Sequence, residues 1–103
     1  IHSMAHITGG GLPENLPRCL GDHQSVRLNP KSWSIPPIFS WLAQKGNLSR
    51  QTLYETFNMG IGFVLIVPPT ATEELVQFFN DRDIPASEIG EVIPGTGQVT
   101  GLE

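Results

Sequence analysis

Residues 5–18 read AHITGGGLPENLPR, and the organisation of the chain is read outward from this stretch. Three adjacent glycines, Gly9, Gly10 and Gly11, are conformationally permissive and unsuited to the interior of a helix or strand, so Thr8 to Gly11 is a loop. Residues 1–7, a mixture of His and apolar side chains, lead into it. Leu12-Pro13-Glu14-Asn15 reads as a helix start, because proline is favoured in a first turn and Glu14 lies near the positive end of the helix dipole. Pro17 has no N–H for the helical ladder, which keeps this helix short or irregular. Leu12, Leu16, Cys19 and Leu20 fall on one face at helical spacing, and Gly21 ends the element.

Further along, Val26 and Leu28 alternate with polar neighbours, a brief strand that stops at Pro30. A helix is expected from Pro36-Pro37 to Gly46, with Ile38, Trp41 and Leu42 on its buried face. Another runs from Ser49, its N-cap, to Thr56, with Leu48 and Leu53 placed as a hydrophobic staple. Phe57-Asn58-Met59-Gly60 breaks the pattern. Ile61 to Val67 is apolar and rich in β-branched residues between Gly60 and Pro68-Pro69, the signature of a strand buried on both faces. Thr70 and Glu73 have capping-box spacing, ahead of a helix with Leu75, Val76, Phe78 and Phe79 on its apolar face. Glu88 to Ile93 is strand-like, and Pro94-Gly95-Thr96-Gly97 is expected to turn it into a last strand, Gln98 to Leu102. The order loop, helix, strand, helix, helix, strand, helix, strand, strand gives an α+β fold, a mixed β-sheet with helices packed on it.

Composition excludes several function classes. The chain has 103 residues, 39% hydrophobic and 16% charged, which places it with folded proteins. Its formal charge is -4 with no basic run, so no nucleic-acid partner is expected. Cys19 is the one cysteine, leaving neither an internal disulfide nor a cysteine-based zinc site. The apolar run at Ile61 is too short to span a bilayer, and no secretory signal is visible, so no membrane association is expected and the cytoplasm is the default location. The chain has no initiator Met and opens inside what reads as ordered structure, which suggests a piece of a longer protein.

The glycine loop is the strongest candidate for chemistry. Glycines let backbone N–H groups approach a ligand closely, the following helix turns its positive end towards an anion, and Thr8 adds a hydroxyl. The pattern is neither a P-loop, which needs a Lys after the last Gly, nor the dinucleotide GxGxxG motif. On these residues alone, a tight structural turn is the plainer reading.

The longer strings add a resemblance. AHITGGGLPENLPR at 5–18, Tyr54-Glu55-Thr56-Phe57-Asn58-Met59-Gly60-Ile61-Gly62, and the shorter Ile89-Gly90-Glu91-Val92 resemble, in that order, markers of the phosphoribosylformylglycinamidine cyclo-ligase (aminoimidazole ribonucleotide synthetase) family. The resemblance covers essentially the whole chain. It implies the later part of that family's C-terminal domain, residues 1–103, without the domain's opening strands and without the N-terminal ATP-binding domain. It also implies an ATP- and Mg2+-dependent ligase of purine biosynthesis, homodimeric when complete, that closes the imidazole ring of aminoimidazole ribonucleotide from formylglycinamidine ribonucleotide. The nucleotide is then handled chiefly by the N-terminal domain, and this piece alone is expected to be inactive. Formylglycinamidine synthetase, selenophosphate synthetase and thiamin-monophosphate kinase share the domain type and are the alternatives, with a non-catalytic binding module of the same fold as the third class.

The substrate- or phosphate-binding candidates are His6, Thr8, Gly9, Gly10, Gly11 and Asn58, and no residue is assigned as catalytic. His6 either faces the cleft beside the loop or fixes a strand end. Asn58 either offers its amide to the ligand or closes a turn on its own backbone, the more frequent use of such an Asn. His2, Asp22 and His23 lack ligand spacing, so no metal site is expected. Trp33 and Trp41 read as packing, and Asp81, Arg82 and Asp83 as a solvated helix end. In the complete enzyme, Gly10→Val is expected to impair turnover while leaving the fold largely intact. A domain without its opening strands leaves an unpaired edge or an uncovered apolar face, so the fragment is expected to self-associate. Light scattering across a concentration series checks this, and a strictly monomeric chain at high concentration contradicts it.

Overall fold

The computed structural model of the chain describes residues 1–102. In chain order its elements are β1 (Ser3–His6), α1 (Gly11–Asn15), β2 (Gln24–Leu28), α2 (Pro37–Gly46), α3 (Arg50–Thr56), β3 (Phe63–Ile66), α4 (Thr72–Asn80), β4 (Gly90–Pro94) and β5 (Val99–Thr100). Short 3-10 turns occupy Leu16–Cys19, Pro30–Ser32 and Pro69–Ala71. The fold is α+β, as the pattern of elements implies, but its strands form two sheets.

The first sheet is the pair β1 and β3, antiparallel from Ser3↔Ile66 to His6↔Phe63. Backbone bonds from His2 N to Ile66 O (2.7 Å) and from Ile7 N to Gly62 O (2.9 Å) extend it at both ends. Sequence reading had only an approach to the loop at residues 1–7, because β1 is defined by a partner some sixty residues away. A second expectation is also corrected. Phe63 is 56% exposed and Val64, Leu65 and Ile66 are half-buried, so β3 is not buried on both faces. Composition states how much burial a strand tolerates. Among the described residues β1 is the one strand beside β3, and Met4, also exposed, is in register with Leu65 beside Phe63.

The second sheet has the order β4-β2-β5, with β4 antiparallel and β5 parallel to the central β2. The expected hairpin between the last two strands does not form, since each lies on its own side of β2. The segment Pro94 to Gln98 instead wraps the start of β2. Gly95 N donates to His23 O (3.1 Å), Gly97 N to Gln24 O (2.9 Å), and Gln98 N to Ser25 Oγ (3.0 Å). Ser25 is 3% exposed and donates in turn to Gln98 Oε1 (2.8 Å), so one buried hydroxyl organises the crossing.

The core joins the two sheets through α1 and α3. Leu12 and Leu16, one turn apart, are the large side chains buried most completely, at 0% and 1% exposure. Each such burial stabilises by about 1.5–3 kcal/mol. Ser49 caps α3 as expected, accepting from Thr52 N (3.1 Å), and Leu53 is buried with Leu48 packed against the core.

Two helices depart from expectation. In α2 Ile38 and Trp41 are exposed, while Phe39, Leu42 and Ala43 are half-buried. Both triplets satisfy helical spacing, so periodicity could not choose between them; the contact of the Phe39 and Phe57 rings, 5.7 Å between centroids, decides it. Helix α4 begins after the 3-10 turn Pro69–Ala71, with Ala71 at the cap and no side-chain cap bond, so the Thr70–Glu73 capping box is not formed. Phe78 is 45% exposed, with the Arg82 guanidinium 3.6 Å from its ring centre.

Ser25→Ala removes the acceptor for Gln98 N–H and should cost about 1–2 kcal/mol. Urea denaturation should show this as an earlier midpoint, with faster hydrogen exchange confined to residues 95–98.

Candidate functional site

Strand β1 delivers the chain directly into the glycine loop. Its last residue, His6, is exposed and stacks on Phe63 of β3, 6.0 Å between ring centres at an interplanar angle of 27°. Ile7 turns inward and is 4% exposed. The loop then closes as a turn, with Gly11 N donating to Thr8 O (3.0 Å).

The three glycines differ in what they permit. Gly10 (φ 94°) and Gly11 (φ 64°) are left-handed, a region costly for residues with a Cβ. A Cβ on Gly11 would overlap the Tyr54 carbonyl oxygen and lie 2.7 Å from that of Phe57, so this glycine lets α1 dock on the end of α3. A Cβ on Gly10 would run into the Glu14 side chain. Gly10→Val therefore perturbs the backbone itself, contrary to the expectation that the fold would be spared. Gly9 has nothing within 4 Å of the corresponding position and faces open space. Among the described residues neither the Gly9 nor the Gly10 N–H has an acceptor.

What holds the loop is Asn15, a residue sequence reasoning did not single out. It is 3% exposed, and its Nδ2 donates to Gly11 O (2.8 Å), with longer contacts to Thr8 O (3.3 Å) and Gly9 O (3.4 Å). Its Oδ1 accepts from the Thr8 hydroxyl (3.2 Å) and from Arg18 Nη1 (3.4 Å). The Thr8 proton is thus directed inward. A signal for Asn15 was present: Leu12, Asn15 and Leu16 share one helical face, and a polar residue on an apolar stripe must find partners. Arg18 also pairs with Glu14 at 3.2 Å, an exposed contact between residues one turn apart.

The second quoted string lies against the first. Phe57 O and Tyr54 O meet Gly11, and Gly62 O accepts from Ile7 N. Between them, Asn58 Oδ1 accepts from Gly60 N (2.9 Å) and Asn58 O accepts from Ile61 N (3.0 Å), forming a turn with Met59 (φ 55°) and Gly60 (φ 97°) left-handed. Asn58 therefore uses its carbonyl oxygen on its own backbone, while its Nδ2 has no acceptor among the described residues. Trp33, buried, steadies this turn by donating from Nε1 to Met59 O (3.1 Å). The third string, Ile89 to Val92, belongs to the other sheet, where Arg27 pairs with Glu91.

Two open depressions lie elsewhere. One of about 280 Å³ is bordered by Arg27, Asn29 and Glu88, and another of about 500 Å³ by Thr72, Val76 and Glu88. No loop residue lines either, and Thr8 and Gly9 are exposed at the surface. Among the described residues no group of three or more His, Cys, Asp or Glu side chains is arranged to hold a metal ion. No helix is long and apolar enough to cross a membrane.

The sequence is similar to those of known proteins. The family model for "AIR synthase related protein, C-terminal domain" matches residues 1–102. Proteins named phosphoribosylformylglycinamidine cyclo-ligase are similar over nearly the entire chain. That of Cyanothece sp. is 60% identical over 102 residues, 99% of this chain and 28% of the relative. That of Gloeothece citriformis is 60% identical over 103 residues, 100% of this chain and 30% of the relative. That of Rippkaea orientalis is 62% identical over 99 residues, 96% of this chain and 29% of the relative. The chain thus spans less than a third of the length of these curated relatives. With its residues matched from the first strand to Leu102, the chain belongs to the AIR synthase related protein family, as a C-terminal domain sequence.

Proposed function

We propose that this chain is the C-terminal piece of a phosphoribosylformylglycinamidine cyclo-ligase and that its glycine loop binds the phosphate of the substrate. The observation that carries the reading is the loop itself. The N–H groups of Gly9 and Gly10 have no acceptor among the described residues, and the space beside Gly9 is open. Such donors suit a phosphate oxygen, because backbone amides pay no side-chain ordering entropy and point in fixed directions. The high identity to cyclo-ligases over the whole chain supports the same assignment.

In the proposed reaction, ATP phosphorylates the amide oxygen of formylglycinamidine ribonucleotide, and the neighbouring nitrogen of the same molecule attacks that carbon as phosphate leaves. Phosphoryl transfer of this kind depends mainly on positioning and charge neutralisation. The residues described here supply positioning: the loop holds the ribonucleotide by the end remote from the reacting amide. The resemblance to cyclo-ligases assigns the ATP and Mg2+ contacts chiefly to the rest of a longer, dimeric enzyme, and no step is routed through them here. The 103-residue chain alone is accordingly inactive on this reading, acting in the cytoplasm only as part of the whole.

The glycines separate binding from folding. In the complete protein, Gly9→Val should leave the melting temperature close to wild type while raising KM for formylglycinamidine ribonucleotide about tenfold or more, the scale of a lost charged hydrogen bond. Gly11→Ala should instead cost about 2 kcal/mol or more of stability, through its left-handed φ and the overlap with Tyr54. Wild-type kinetics in Gly9→Val would make the loop purely structural.

A further inference from the structure

We infer that Asn15 is the positioning residue of the glycine loop, setting which way the Gly9 and Gly10 amides point and tying the Arg18 guanidinium to them. The inference rests on the loop being the phosphate contact, and deepens that reading.

A peptide unit has its N–H and C=O on opposite sides, so fixing the carbonyls of a loop fixes the amides that follow them. The carbonyl of Thr8 precedes the Gly9 amide, and the carbonyl of Gly9 precedes that of Gly10. Asn15 Nδ2 gathers both carbonyls, at 3.3 and 3.4 Å, beneath the loop, together with Gly11 O at 2.8 Å. The amide nitrogens of Gly9 and Gly10 are thereby turned away from α1. Two protons on Nδ2 serve three carbonyls, so the contacts are shared, and this side chain adds to the turn bond from Gly11 N to Thr8 O.

Without it, the turn bond from Gly11 N to Thr8 O remains but the Gly9 carbonyl loses its partner, and glycines explore left- and right-handed backbone alike. Asn15 itself has little freedom: it is buried, and Leu12 and Leu16 hold its helical turn in the core. Its Oδ1 takes the Thr8 hydroxyl and Arg18 Nη1, which brings a cation to the same network. Asn15 touches no ligand on this reading, and acts entirely through the amides and through Arg18. Aspartate cannot replace it. A carboxylate has the shape and the acceptor but no proton for the three carbonyls, and adds a negative charge behind an anion site.

The test is made in the complete protein, with affinities for formylglycinamidine ribonucleotide and for the same nucleoside without its phosphate measured by calorimetry. The ratio of the two dissociation constants reports the phosphate contact and is insensitive to a uniform loss of packing. Asn15→Ala should shrink this ratio about tenfold or more, the scale of charged hydrogen bonds lost from a site, with thermal melting used to confirm a folded sample. Turnover should show the loss chiefly in KM. Where Asn15→Ala lowers the folded fraction, Asn15→Ser, which keeps one donor with shorter reach, is measured instead and should shrink the ratio by an intermediate amount. Gly9→Val is the companion variant. If Gly9→Val shrinks the ratio and the Asn15 variants leave it at the wild-type value, the phosphate reading stands and the positioning role is wrong. If none of the variants changes the ratio, both are wrong.

Discussion

The close approach of Gly11 to the end of α3 is the constraint on which the rest of the site depends. With no side chain at Gly11, the backbone of α1 sits against the carbonyl oxygens of Tyr54 and Phe57. That contact lowers Leu12 and Leu16 into the core and places Asn15 between them under the loop. It also brings the Phe57–Gly62 segment beside Thr8–Gly11, where the sheet bond from Ile7 to Gly62 secures it from the other side. Two stretches fifty residues apart thus become one surface. Neither could form it alone, since α1 is a single five-residue turn and isolated helices of that length are unstable in water.

Sequence exposed those features whose causes are local. The glycine run, the Ser49 cap, the end of α2 and the apolar stretch at Ile61 all follow from backbone preferences within a few residues. Three features escaped because their causes are distant. Strand β1 exists through β3. The exposed face of β3 reflects which neighbours are present, and no composition encodes that. The Pro94–Gln98 crossing was read as a hairpin because its residues suit one, whereas the buried Ser25 hydroxyl draws it around β2. In α2 the ambiguity was of a different kind: two faces of one helix are equally apolar, and only the Phe39–Phe57 contact breaks the tie.

The candidate site was legible to the same degree. Glycines announce a loop, so Gly9, Gly10 and Gly11 were found together, although the structure gives them separate duties: Gly11 packs, Gly10 turns, and Gly9 alone is open. Asn15 was quoted within the motif without being assigned a role. Its importance follows from burial and from five contacts radiating from one amide, and burial is the quantity that sequence reports least directly. The stripe Leu12, Asn15, Leu16 shows where to look: a polar side chain inside an apolar face is either misplaced or the centre of a network.

On the proposed reading an acidic chain that holds an anion needs a local explanation, because a formal charge of -4 repels phosphate at long range. Screening confines that repulsion, since at physiological salt the Debye length is about 8 Å. Arg18 joins Asn15, and the nearby carboxylate of Glu14 is itself paired to Arg18, so the two charges largely cancel outside the site. In the proposed site a phosphate oxygen is met by the N–H dipoles of Gly9 and Gly10, which have no acceptor among the described residues. They need no reorganisation to face it, because their carbonyls are already held. On that reading affinity at this surface is governed by orientation of the backbone, and net charge affects mainly the rate of approach.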